Sequence, residues 1–291
     1  MAIPMVPTFP IEPATSPVAE VVCRILVEPD NERDAEPIGT GVWVAENLVL
    51  TARHNVDYII REYGPPNSAG YAIRLYNILP GPEYAIWQVN CISTSQHSDL
   101  ALLQLGLHGY TGDTQPGSNI AARIRLLFPY AKERVAGFGY HNMEATFSRN
   151  ADGSLHLELL GVPQTTTGTV VEVYERGRDR GLYSFPCFQV NARFNAGMSG
   201  GPVFDDSGSL IGVISGSLPP DADGGEHVSY VAAIWPILEM AVPRSGQPNE
   251  EVCSVRELAM KGVVQVTDIP RYLRDRQPAS SAASAAPCKS I

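Results

Sequence analysis

Hydrophobic and polar positions alternate with a period of two along most of the chain, in short runs rich in Val, Ile, Leu and Tyr. Runs of that kind bury one face of a pleated strand. They predict strands over 21–27, 41–44, 48–51, 71–78, 86–92 and 100–105, and a second set over 134–138, 155–160, 168–174, 187–190, 202–204, 210–215 and 228–234. Gly81-Pro82, Asp152-Gly153 and Asp206-Ser207-Gly208 punctuate them as turns. Helix signals are confined to 53–60, 235–241 and 248–261; in the last, Asn249 is placed to cap a first turn holding Glu250 and Glu251. The pattern is all-β with short accessory helices. Two groups of about six strands, parted by the polar stretch 109–119, imply two packed sheets or six-stranded barrels closed to remove their edges.

At 291 residues the chain has room for roughly two compact units of ~150 residues. The strands place one over about 21–108 and the other over about 120–241. Residues 1–17 carry five prolines, so 1–20 reads as an extended arm. Residues 242–277 form an extension with the last helix, and the Ser- and Ala-rich 278–291 read as a disordered tail. No apolar run approaches the ~20 residues that cross a bilayer, and Met1 to Glu20 lacks the basic start and apolar core of a secretory signal. The expected location is cytoplasmic, with no membrane partner.

Charge narrows the partners. With 21 Lys and Arg against 31 Asp and Glu, net charge is −10, and a phosphate backbone meets a repulsive average field. Arg176, Arg178 and Arg180 alternate with Glu175, Asp179 and glycines as a solvated loop does, so nucleic acid is not an expected partner. Cys23, Cys91, Cys187, Cys253 and Cys288 are odd in number and lack C-x-x-C spacing. No disulfide framework is indicated, and Cys23, Cys91 and Cys187, in apolar alternating stretches, read as buried reduced thiols, which agrees with a reducing compartment. His108, His141, His156 and His227 show no metal-ligand spacing with Cys or Glu, so no metal is expected.

Candidate chemistry concentrates in Asn195-Ala-Gly-Met-Ser-Gly-Gly-Pro-Val203. A serine between glycines can sit on a tight turn whose amides converge on one point. Such a point suits the oxyanion of acyl transfer, and the amides of Gly197 and Ser199 are the candidates. A serine nucleophile needs a neutral base and a third group that fixes the tautomer of that base. His54 follows Asn47-Leu-Val-Leu-Thr-Ala52, a strand that ends in small residues. Asp99 opens the apolar run Asp99-Leu-Ala-Leu-Leu-Gln-Leu105. His97 is the rival base and Asp57 the rival carboxylate, although Asp57 reads more simply as a solvated helical residue.

Gly39-Thr-Gly-Val-Trp-Val44 with Leu50-Thr-Ala-Arg-His54, then Ser98-Asp-Leu-Ala-Leu102, then Gly197-Met-Ser-Gly-Gly-Pro-Val203 resemble the His, Asp and Ser blocks of trypsin-like, chymotrypsin-fold serine peptidases. Val190-Asn-Ala-Arg-Phe-Asn-Ala-Gly197 is similar to the lead-in of the bacterial HtrA/Deg proteases. The resemblance covers roughly 21–241. It implies two β-barrels with a cleft between them and a serine endopeptidase acting through an acyl-enzyme without a cofactor. It makes Ser199 the nucleophile, His54 the base and Asp99 its orienting carboxylate. Ser215, Gly216 and Ser217 become the strand edge that pairs with an extended peptide.

The resemblance also places Arg193 and Phe194 near the pocket for the substrate side chain that precedes the cut. Arg193 pointing inward selects an acidic side chain; Arg193 in solvent leaves Phe194 to shape a small apolar pocket, which is the simpler expectation. Met198 stands where an acidic or amide residue is usual and cannot pair with a newly cut α-amine, so activation by N-terminal cleavage is not expected. Arg53 replaces a small residue, and Asn55 stands where secreted relatives often carry a cysteine. Control then falls to a regulatory protein partner or to ordering of 162–168 and 218–226, read as mobile loops. The rival classes are a pseudo-protease that holds peptides as an assembly module, and an esterase using the same groups.

Overall fold

The first group of alternating runs closes on itself. The computed structural model describes residues 20–30, 35–65, 70–78, 84–111, 121–149, 155–218, 227–243, 252–269 and 289–290. In it β1 (Val22–Pro29), β2 (Glu36–Ala45), β3 (Leu48–Thr51), β4 (Tyr71–Ile78), β5 (Tyr84–Thr94) and β6 (Ala101–Tyr110) pair in the order β5-β4-β1-β2-β3-β6. Pairing of β5 with β6 shuts the barrel. Inward-facing Ile25, Trp43, Val49, Leu75 and Leu103 fill it, and the rings of Trp43 and Trp87 meet edge-on at 5.1 Å. The helix α1 (Arg53–Tyr63) leaves β3 at the barrel rim and buries Val56 and Ile59 against the same core.

The second group also closes, in the order β10-β11-β12-β9-β8-β7, with β7 (Arg134–Arg149), β8 (Leu155–Tyr174), β9 (Cys187–Val190), β10 (Pro202–Asp205), β11 (Leu210–Leu218) and β12 (Val228–Ala233). Two closed six-stranded barrels are therefore present, as the alternation predicts.

One expectation fails here. Residues 162–168 are not a mobile loop: they lie inside β8, with Val162 opposite His141 and Gly168 opposite Val135. Thr165, Thr166 and Thr167 favour extended backbone but bury no face, so the apolar alternation that marks the other strands is missing. Strands expected to be short merge into one long hairpin. Its far half lays Ala145, Leu157 and Leu159 on Leu26, Tyr76 and Ile86 of the first barrel. Of the other expected loop, Leu218 ends β11 and 219–226 lie outside the described residues.

Beyond the barrels the expected helix over 248–261 is shorter. β13 (Ala241–Pro243) pairs with β14 (Val252–Ser254), and α2 (Val255–Met260) follows. Ser254, not Asn249, caps it. The Ser254 side chain accepts from Glu257 N at 3.2 Å, and the Glu257 carboxylate takes Ser254 N at 2.8 Å. Asn249 lies outside the described residues.

This extension is built into the fold. Between the barrels, Ile124 bridges Leu210 on one side and Val266 on the other, and Asp268 accepts the amides of Leu126 and Leu127 at 2.9 Å each. One apolar cluster gathers Val42 and Leu50 from the first barrel, Leu210 and Val213 from the second, Ile124 from the linker, and Val255 and Val264 from the extension.

Among the ends, Lys289–Ser290 form β15, which pairs Ser290 with Cys91, so the expected tail disorder does not hold for these two residues. Residues 1–19 lie outside the described residues. Cys23, Cys187 and Cys253 are free and buried. Cys91 is disulfide-bonded, contrary to the expected reduced thiol, and its partner lies outside the described residues. Alternation reports that a thiol is buried; it carries no information about a second sulfur from a distant stretch. No helix among the described residues is long and apolar enough to cross a membrane.

Candidate active site

β3 ends at Thr51, and Ala52 turns the chain into α1 without capping it by a side chain. The cap comes from elsewhere. Asp99, in the turn before β6, accepts the backbone amide of His54 on Oδ1 at 2.9 Å. Its Oδ2 faces His54 Nδ1 at 2.8 Å and accepts the Ser215 hydroxyl at 2.6 Å. One buried carboxylate thus fixes the start of a helix and an imidazole together. A proton on Nδ1 leaves Nε2 as the acceptor.

Burial pulls the His54 pKa down, but the Asp99 hydrogen bond and charge, with the charge of Asp57, outweigh it, so the imidazole stands above its ordinary value. Asp57 pairs with Arg53 at 3.2 Å on the surface of α1, and His97 is exposed.

Ser199 sits between Gly197 at φ 92° and Gly200 at φ 84°, both in the left-handed region that glycine tolerates. A Cβ on Gly197 would come within 2.8 Å of Tyr140 O, and one on Gly200 within 2.1 Å of Thr51 Oγ1. Ser199 O accepts Thr40 N at 2.9 Å and Asn55 Nδ2 at 3.1 Å, which seats the serine beside the residue that follows His54. Among the described residues no hydrogen bond joins Ser199 Oγ to His54, and the amides of Gly197 and Ser199 have no partner. Met198 is fully buried; its Sδ lies 3.3 Å from Asn195 N, and it packs on Gly139.

The residues expected to receive substrate divide. Arg193 is exposed, and Phe194 is buried with its ring over Gly137. Ser217 Oγ donates to Phe194 O at 2.9 Å and lies 2.6 Å from Ser229 Oγ, which donates to Ala192 O at 2.5 Å. Ser215 turns its hydroxyl to Asp99, and the open face of Gly216 is taken by Tyr183, whose OH would stand 2.8 Å from a Cβ there. Tyr183 stacks on Tyr230 with ring centroids 4.0 Å apart. A cleft of about 700 Å³ runs beside His54, Asp99 and Ser215, with Tyr183, Phe185 and Trp235 as its apolar wall; Ser199, Arg193 and Phe194 do not line it.

Two polar residues join the site without having been expected there, Asn55 having been noted only for standing in place of a cysteine. Thr40 and Asn55 are fully or almost fully buried, and a polar residue inside an apolar run such as Gly39-Thr-Gly-Val-Trp-Val44 signals a bonded partner. Among the described residues no group of three His, Cys, Asp or Glu side chains is placed to hold a metal.

A family model described as trypsin-like peptidase domain matches residues 39–213. Among solved structures, the MamO protease domain from Magnetospirillum magneticum is 16% identical, with 74% of this chain and 93% of that one covered and a TM-score of 0.45. The Rv3671c protease from M. tuberculosis in its active form is 17% identical over 81% of this chain and 86% of that one, with a TM-score of 0.46. The HtrA-type protease AlgW with a decapeptide is 18% identical over 76% and 63%, with a TM-score of 0.49. No curated protein sequence matches the chain.

Proposed function

The chain belongs to the family of trypsin-like peptidase domains, and from that premise we propose that it is a serine endopeptidase acting through an acyl-enzyme on Ser199. The observation that carries the reading is the double use of Asp99, whose two oxygens hold the His54 amide and the His54 imidazole at 2.9 and 2.8 Å. In the reaction, Ser199 Oγ attacks the scissile carbonyl carbon and its proton passes to His54 Nε2. The charge that develops on the carbonyl oxygen is met by the amides of Gly197 and Ser199. Collapse breaks the C–N bond, and the leaving amine takes the proton from His54. Water, deprotonated by the same imidazole, then releases the acyl group.

An extended peptide pairs with the edge of β11 at Ser215 to Ser217. The direct Ser217 to Phe194 bond supports a small side chain before the cut, since it joins the two segments that the resemblance sets around that side chain. The absence of a Ser199 to His54 bond among the described residues favours a resting site completed by substrate or by a regulatory protein.

A fluorophosphonate probe tests the reading. Labelling of the wild-type chain is expected, abolished in Ser199→Ala and weakened in His54→Ala. Absence of labelling in every condition, with peptide present or not, sinks the enzyme and leaves a peptide-holding module. Matched ester and peptide substrates separate the endopeptidase from an esterase.

A further inference from the structure

Oxyanion donors act only when they are fixed before charge develops, because reorganising them during the reaction consumes the stabilisation they offer. The turn 195–200 carries two left-handed glycines and is not held by a regular ladder of its own. Its own barrel holds it through Gly200 N on Ile214 O at 2.8 Å and Met198 N on Asn195 O at 3.1 Å, and the carbonyls of Gly197 and Ser199 are held from the other barrel. Thr40, fully buried on β2, donates Oγ1–H to Gly197 O at 3.0 Å and accepts Tyr140 N on the same oxygen at 3.0 Å. Its backbone amide donates to Ser199 O at 2.9 Å. Asn55 Nδ2 gives one hydrogen to Ser199 O and the other to Thr51 Oγ1, each at 3.1 Å, and Thr51 Oγ1 donates to Thr40 O at 2.8 Å.

Every proton in this chain is committed in one direction. Thr51 cannot rotate away from Thr40 O without leaving that carbonyl unpaired, and the Asn55 amide has no spare hydrogen. The two anchored carbonyls belong to the Gly197–Met198 and Ser199–Gly200 peptides, which flank the peptide bearing the Ser199 amide. Rotation of either plane breaks a part-buried bond. The space is equally committed, since a Cβ on Gly39 would come within 2.6 Å of Asn55 Nδ2.

We propose that Thr40 and Asn55 are positioning residues: they lock the nucleophile turn in its oxyanion-binding shape and place it relative to His54 through one hydrogen-bonded chain. The inference rests on the peptidase reading for its catalytic consequence, while the locking itself stands on the geometry. Thr40→Val keeps the shape of the side chain and removes the hydroxyl; Thr40→Ser restores it. Asn55→Ala is the second probe, because water can enter the space it leaves.

The test measures kcat and KM on one peptide substrate, the melting temperature, and deuterium uptake of residues 195–201 in the full chain. For Thr40→Val and Asn55→Ala, kcat is expected to fall about 10- to 100-fold with KM changed less than about threefold, and Thr40→Ser to return kcat to within about threefold of the wild type. Uptake over 195–201 rises in Thr40→Val and Asn55→Ala, well below their melting temperatures, and stays at the wild-type level in Thr40→Ser. Wild-type kcat in both deletion variants, or unchanged uptake in both, overturns the proposal. So does a loss of kcat that Thr40→Ser does not recover. If the wild-type chain hydrolyses nothing and takes no fluorophosphonate, the peptidase reading falls by itself and the uptake comparison still decides whether the lock exists.

Discussion

Ser215 donates its hydroxyl at 2.6 Å to the same Asp99 oxygen that faces His54 Nδ1. With the His54 amide on its other oxygen, the carboxylate is held by donors from β11 and α1 at once. A charge buried this way is stable only while its donors remain. Ser215→Ala is expected to lower kcat/KM by about tenfold with little change in melting temperature, the cost of one hydrogen bond to a charged group. Asp99→Asn favours the wrong imidazole tautomer, and a loss of about 10⁴-fold in kcat is expected. Steady-state kinetics on one peptide checks both; equal effects of the two substitutions would contradict the assignment of Ser215 as a supporting donor.

In the proposed mechanism only a neutral His54 can take the serine proton. Its pKa stands above the ordinary 6.5, so kcat/KM is expected to fall on the acid side of a midpoint above that value. Removing the nearby charge in Asp57→Asn moves the midpoint down, because one raising influence is lost. The same sign governs folding: the raised value stabilises the native state below about pH 6.5, and that contribution fades as pH climbs through the folded pKa. A pH–rate profile whose acid limb lies below that of free imidazole contradicts the argument.

Gly200 and Gly208 share positive φ, at 84° and 73°, but not surroundings. A methyl on Gly200 meets Thr51 Oγ1 at 2.1 Å and Thr40 O at 2.3 Å, whereas one on Gly208 meets open space. Gly208→Ala is expected to cost about 1 kcal/mol, the backbone penalty alone. Gly200→Ala adds the clash and should cost at least about twice as much, with activity lost. Chemical denaturation of the two variants makes the comparison.

Arg193 is exposed, and Ser217 bridges to the Phe194 backbone. Arg193→Ala is therefore expected to leave the residue preference at the cut unchanged. Ser217→Gly opens the pocket and shifts cleavage toward larger side chains. Cleavage profiling of a peptide library reads both, and a gain or loss of acidic preference in Arg193→Ala would place the guanidinium in the pocket after all.

Asp268 holds two amides of the linker at 2.9 Å each. Asp268→Ala leaves both unpaired at a half-buried place, and a loss of about 1–3 kcal/mol is expected in denaturant unfolding, with the midpoint moved and the slope unchanged.

The barrels were legible because each core strand buries one face, and burial on a pleated surface writes itself into alternate positions. The middle of β8 wrote nothing, since Thr165 to Thr167 bury no face and the strand is held by its partner alone. His54, Asp99 and Ser199 could be picked out through their neighbours: a strand ending in small residues, a carboxylate against an apolar run, a serine among glycines. Thr40, Asn55 and Ser215 could not be read for what they bond, because their partners lie 157, 144 and 116 residues away and no local pattern encodes a contact of that span. Ser254 is a different case. The Ser-x-x-Glu spacing to Glu257 was available in the sequence and outweighs Asn249 once both ends of the box are considered.

The threading of residues 252–269 between the barrels sets an order of events during synthesis. The linker around Ile124 leaves the ribosome long before Gln265 and Asp268, yet it takes its remaining bonds from them. A nascent chain halted after the second barrel carries an apolar seam, with Ile124, Leu210 and Val213 awaiting Val255 and Val264. The joint between the barrels, crossed directly by the Thr40 and Asn55 bonds to residues 197 and 199, thus gains part of its apolar filling from a segment that follows both barrels in the chain.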